Sequence, residues 1–165
     1  MTGRIERAID VFLDAINKGT LAKGSCSACA VGNLVAHGMG MEIHPIHLLC
    51  VDEKGCNISN THWALLFLTA GKQQTILRHH AKELDVMKNI EATEFSWEEL
   101  AKIEFAFETS TQINVGDYKN HTKEEIRADQ IRGLEAVVEV MLEMDEQQAD
   151  VKEVFTHKAE LIPIQ

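Results

Sequence analysis

The sequence predicts a mainly α-helical protein, a compact helical domain carrying a small irregular or β-hairpin element around residues 43–70. Three observations predict it. Apolar residues recur at helical spacing from the first turn of the chain, two Ser/Thr-x-x-Glu capping boxes each precede an amphipathic stretch, and no linker, low-complexity run or internal repeat divides the 165 residues. A chain of this length reads as one domain over 1–165, able to bury roughly two thirds of its unfolded surface without disulfide or metal.

The first helix is expected from about residue 4 to 18, where Ile5, Ala8, Ile9, Phe12, Ala15 and Ile16 form one stripe and Lys18-Gly19 supplies a cation and a glycine for the helix end. Ser25 can cap a second helix running from Cys26 towards His37, closed by Gly38 and Gly40, which puts the cysteines in its first turn. From 41 to 60 the helical pattern fails. Pro45, the Asp52-Glu-Lys-Gly55 turn and Asn57-Ile-Ser-Asn60 suggest loop, with a hairpin whose first strand is 46–51. The apolar run 63–69 has no diagnostic period and suits a buried strand or a buried helix. In the second half, Ser96-Trp-Glu-Glu99 opens a helix with Leu100, Ile103 and Phe107 on one stripe. Thr122-Lys-Glu-Glu125 opens a longer one with Ile126, Ile131, Leu134, Val138, Met141 and Leu142 inward. Residues 81–90 and 147–158 are weaker helical segments, and Leu161-Ile-Pro-Ile164 is an extended tail docked on the body.

The formal charge of −10 is unevenly spread: residues 1–82 hold eight Lys/Arg against six Asp/Glu, and 83–165 hold eight against twenty. Such acidity opposes binding to nucleic acid or to anionic membranes, both of which need clustered positive charge. It suits solvated helix faces, or a surface for a basic partner. No apolar stretch approaches the ~20 residues that cross a bilayer. Met1-Thr-Gly-Arg-Ile-Glu-Arg leads into an amphipathic segment without the apolar core of a secretory signal, so a cytoplasmic protein is expected, with its cysteines reduced.

Function is expected where the four cysteines and four of the eight histidines gather, between Cys26 and His62. Cys26-x-x-Cys29 has the spacing for two thiolates to reach one zinc ion at about 2.3 Å each, with Cys50 and Cys56, or His44 and His47, completing a tetrahedral set. Cys50-x5-Cys56 is wider than a usual zinc knuckle, and small thiols in an apolar helix start also serve as packing residues. The same helix start would lower a thiol's pKa, making Cys26 or Cys29 a nucleophile with His37, His44, His47 or His62 as base. Against a thioredoxin-like site, a helix and not a strand precedes the motif. There is no His-Glu-x-x-His, Gly-x-Ser-x-Gly or Glu-x-x-His, so an enzyme is left without a signature.

Gly19-Thr-Leu-Ala-Lys-Gly24-Ser25 is a glycine-bounded turn feeding a helix start, where backbone amides receive anions. A P-loop is rejected, because Lys23 precedes the second glycine and no strand precedes the turn. A simpler anion pocket stands, with Thr20, Lys23, Gly24, Ser25, Cys26, Cys29 and Asn33 offering contacts and His62 and Trp63 beside them. The competing account is that both glycines only supply the dihedrals of a helix-to-helix turn. Glu104 and Glu108 share a helical face and form half a carboxylate site, or more commonly a solvated pair. His79-His80 point apart on a helix and suit the surface, while Trp63 and Trp97 suit core or interface anchors.

The string Gly-Thr-Leu-Ala-Lys-Gly-Ser-Cys-Ser-Ala-Cys-Ala-Val-Gly-Asn33, with Glu-Glu-Leu-Ala-Lys-Ile-Glu-Phe-Ala-Phe-Glu108 and Asp129-Gln-Ile-Arg-Gly-Leu-Glu-Ala-Val137, resembles a group of small uncharacterised proteins of bacteroidete bacteria and their phages. The resemblance implies a phage or mobile-element origin, and a small non-enzymatic binder acting on host machinery or sequestering a host nucleotide signal. The expectation is therefore a binding protein for a small anionic molecule or a host protein at residues 19–33. A zinc-stabilised interaction module or a cysteine-dependent enzyme is the alternative, and the acidic helices permit a homo-oligomer.

Overall fold

A computed structural model of the chain describes residues 3–24, 28–38, 90–145 and 150–164. The described residues are 77% helical and contain no strand, so the protein is mainly α. The hairpin element around residues 43–70 and the helical segment at 81–89 lie outside the described residues. Five α-helices are described, α1 (Arg4–Lys18), α2 (Ala30–Gly38), α3 (Trp97–Ser110), α4 (Lys123–Asp145) and α5 (Asp150–Glu160), with a 3-10 turn at Val115–Asn120 between α3 and α4.

The α1 stripe folds as its spacing dictates: Ile5, Ala8, Ile9, Phe12 and Ala15 are buried, and Ile16 is partly so. Gly19 ends the helix at φ 69°, a left-handed conformation that disfavours any side chain, and its amide closes onto Ile16 at 3.1 Å while that of Thr20 reaches Ala15 at 2.8 Å. From Ala30 to Ala36 every residue of α2 is buried, as in a helix surrounded by core.

Both capping boxes are in place. Ser96 Oγ accepts from the Glu99 amide at 3.2 Å while Glu99 accepts from the Ser96 amide at 2.7 Å, and Thr122 and Glu125 exchange the same pair of bonds at 3.1 and 2.8 Å. On α4 the fully buried stripe is Leu134, Val137, Val138 and Met141, with Ile126, Ile131 and Leu142 only partly covered. The most extensive pairing is between α3 and α4, where Gly133 leaves room for Phe107 and Thr111. The core joins Ile5, Ile9 and Phe12 of α1 to Val31 and Val35 of α2, Leu100, Ile103 and Phe107 of α3, the α4 stripe, and Phe155 and Ala159 of α5.

Polar clasps close the bundle. Arg4 of α1 reaches Glu99 of α3 at 2.8 Å and Asp145 of α4, and its guanidinium lies 4.7 Å from the Phe95 ring. Asp129 of α4, 3% exposed, accepts from the amides of Gln112 and Ile113 at 2.9 and 2.8 Å and pins the chain leaving α3. No described helix is long and apolar enough to cross a membrane.

Candidate functional site

The turn from 19 to 33 is built by one side chain more than any other. Asn33, 6% exposed, aims its Nδ2 at the carbonyls of Thr20, Ala28 and Cys29, each at 3.0 Å, while the Ala22 amide donates to Ala28 at 2.8 Å. These bonds gather the carbonyls before the helix, and α2 therefore starts at Ala30, later than the Cys26 start that the sequence suggests. Cys29 stands at the helix boundary: its carbonyl accepts the first helical bond, from the Asn33 amide at 3.0 Å, and its Sγ accepts from the Gly32 amide at 3.3 Å. A sulfur thus occupies the place usually taken by a capping oxygen. Cys29 carries a thiol not engaged in a disulfide and is 1% exposed.

The polar residues assigned to an anion here are turned inward. Thr20 is buried with its hydroxyl directed at Ala15 and Asn33 at 3.4 Å each. Lys23 Nζ donates to the carbonyls of Glu108 and Thr111, both at 2.7 Å, closing the carboxyl end of α3. The Lys23 backbone bridges to Asn114, and Gly24 has φ 84° with the Asn114 side chain against it. Thr20, Lys23, Asn33 and Cys29 are thus one structural unit, consistent with the account in which the glycines serve the turn. Ser25, Cys26, His44, His47, Cys50, Cys56, His62 and Trp63 lie outside the described residues. Among the described residues no group of three or more His, Cys, Asp or Glu side chains is arranged to hold a metal ion. Trp97 packs partly buried against the core, as an anchor does.

Glu104 does not form a solvated pair with Glu108. It is 7% exposed, its Oε2 accepts from the Val31 amide in the first turn of α2 at 3.4 Å, and the Cys29 thiol hydrogen-bonds to it. Burial first, and the Glu108 charge second, push its carboxyl up to about 8, against the opposing effect of the Val31 amide and the Cys29 thiol.

A pocket of about 260 Å³ lies on the other side of the Gly19 turn. Its walls are Ile16, Asn17 and Gly19 from the end of α1, Tyr118, a face of α4 carrying Lys123, Ile126, Arg127 and Gln130, and the tail residues Pro163 and Ile164. Arg127 also donates to the Ala159 carbonyl at 2.7 Å, which fixes the guanidinium, whereas Lys123 has no ion-pair or hydrogen-bond partner among the described residues. Tyr118, the chain's one tyrosine, has its hydroxyl 3.2 Å from Gln130 Nε2, and burial raises its pKa, keeping it a neutral donor. Gln130 reaches the Leu21 carbonyl as well, joining this wall to the turn. Sequence reasoning missed Tyr118, Lys123, Arg127 and Gln130. The signal available was the i, i+4, i+7 placement of Lys123, Arg127 and Gln130 on one face of a helix whose other charges are largely acidic.

No family model matches the chain, and neither a curated protein nor a solved structure matches it.

Proposed function

We propose that the chain is a non-enzymatic binding protein that takes a small anionic molecule in the pocket between the Gly19 turn and α4. The observation that carries this is the lining: among the described residues it has two cations, Lys123 and Arg127, and no acidic residue, in a chain with 26 Asp and Glu. Arg127 offers planar donors on a guanidinium already held in place, and Lys123 a compact point charge with no ion-pair or hydrogen-bond partner among the described residues. Tyr118, Asn17 and Gln130 add neutral polar contacts, and Ile16, Ile126 and Ile164 exclude water from the apolar remainder of a ligand. The resemblance to phage-associated proteins suggests a phosphorylated host metabolite as the ligand, and adenosine monophosphate is the corresponding probe.

The test is titration of adenosine monophosphate and of inorganic phosphate into isotopically labelled protein, followed by amide chemical shifts. Shifts should concentrate at Gly19, Tyr118, Lys123 and Arg127, and Lys123→Gln should weaken binding about tenfold, the equivalent of about 1.4 kcal/mol. Shifts elsewhere, or none at millimolar probe, defeat the proposal.

A further inference from the structure

Gln130 stands on the wall of the α4 pocket with an amide whose orientation the protein fixes. Its Nε2 donates to the Leu21 carbonyl and, at 3.2 Å, to the Tyr118 hydroxyl, which itself lies 3.5 Å from that carbonyl. A carbonyl cannot donate, so the amide nitrogen has to face Leu21 and cannot exchange places with the amide oxygen. Both amide hydrogens are thereby used inside the protein. Oε1 is left over: it has no hydrogen-bond partner among the described residues, on a side chain that is only partly exposed. Asn17, the other amide on the wall, is exposed and open to water.

The wall is also ordered along α4. Lys123 comes first, Ile126 and Arg127 follow one turn later, and Gln130 stands a further turn on, about 10 Å from Lys123 along the helix axis. Two cations thus mark one end, an apolar side chain the middle and a lone acceptor the other end. The cations decide what that acceptor can take. An ammonium would be repelled by Arg127 one turn away, so the matching donor is neutral.

We propose that the pocket selects a phosphate ester with its anion at one end, an apolar body, and a neutral hydrogen-bond donor at the far end, as on an aminated nucleobase, and that Gln130 Oε1 accepts from that donor. This rests on the anion reading of the pocket and adds the chemical class of its ligand. A body that ends in hydrogen leaves the half-buried Oε1 unmatched, and one that ends in an acceptor repels it.

The test compares adenosine monophosphate with purine riboside 5′-monophosphate, which carries hydrogen in place of the exocyclic amine. Both are titrated into the isotopically labelled protein and into Gln130→Met. Wild type should bind adenosine monophosphate about fivefold more tightly, as one neutral hydrogen bond provides. Gln130→Met keeps the reach of the side chain without the acceptor, and there the preference should vanish. Because two ligands are compared on one protein, any general loosening of the wall from the lost Leu21 bond cancels. Equal affinities in wild type overturn this inference while the anion pocket stands, and that arm does not depend on the variant folding. A preference that survives in Gln130→Met overturns the role of Gln130. If neither ligand shifts the pocket amides, the binding reading fails and this inference falls with it.

Discussion

Asn33 and Thr20 are joined across the turn by a 3.0 Å bond from the Asn33 side-chain amide to the Thr20 carbonyl, and the same amide holds the carbonyls of Ala28 and Cys29. Asn33→Ala removes the side-chain donor from the Thr20 carbonyl and leaves those of Ala28 and Cys29 with only their backbone donors, at a cost of about 1–3 kcal/mol. Asn33→Asp should be worse, because it turns a carboxylate oxygen towards those carbonyls. Urea denaturation of the two variants measures both effects, and a loss below about 0.5 kcal/mol in the alanine variant would show that the amide does not organise the turn.

At Gly133 α4 has no room for a side chain against α3. An added Cβ would lie 2.4 Å from Thr111 Cγ2 and 2.9 Å from the Phe107 ring, both on buried residues. Gly133→Ala gains about 1 kcal/mol in helix propensity, yet overpacking a core costs about 1–3 kcal/mol. Net destabilisation is the expected sign in thermal unfolding, since neither neighbour is the free end of a flexible side chain. A raised melting temperature would contradict the close approach.

Lys23 closes the carboxyl end of α3 through two carbonyls at 2.7 Å. Lys23→Met keeps the aliphatic stem and removes the ammonium, and should cost about 1–2 kcal/mol, as for charge-assisted bonds that are only part-buried. Hydrogen exchange would locate the loss at the end of α3. A change confined to ligand affinity would instead restore Lys23 to an anion-binding role.

Arg4 holds Glu99 and Asp145 together, and its guanidinium keeps both carboxyls below the usual carboxylate range. Groups lowered in this way contribute stability that is present above their ordinary values and lost as pH falls through the folded ones. Arg4→Ala should therefore be less stable than wild type near neutrality by about 1 kcal/mol, with the gap narrowing below pH ~4. Arg4→Lys should recover only part, since an ammonium cannot span both carboxylates as the planar fork does. Calorimetry across pH 2–7 checks the convergence, and parallel curves would refute it.

What the sequence made legible was local. The α1 stripe, its Gly19 stop and both capping boxes depend on neighbours within one or two turns, and each forms as its spacing requires. The start of α2 was placed too early because the bonds that delay it come from Asn33 back to carbonyls across the turn. Lys23 reads as an anion ligand in a glycine-bounded turn, and nothing near it announces that its partners are the carbonyls of Glu108 and Thr111. Glu104 and Glu108 look alike on a helical wheel. Only the docking of α2 distinguishes the buried carboxyl from the half-buried one.

The bridge between Lys23 and Asn114 also bears on the order in which the molecule assembles. The segments that pair as α3 and α4 are close in sequence, so their encounter carries a small loop-closure penalty and can come early. The turn that follows Gly19 has no such independence: its partners at Glu108, Thr111, Asn114 and Gln130 exist as an organised surface only after that pair has formed. The most distinctive stretch of the chain is thus a late arrival in folding, templated by residues about a hundred positions away. Damage to the α3–α4 pair would reach it before any residue of its own had changed.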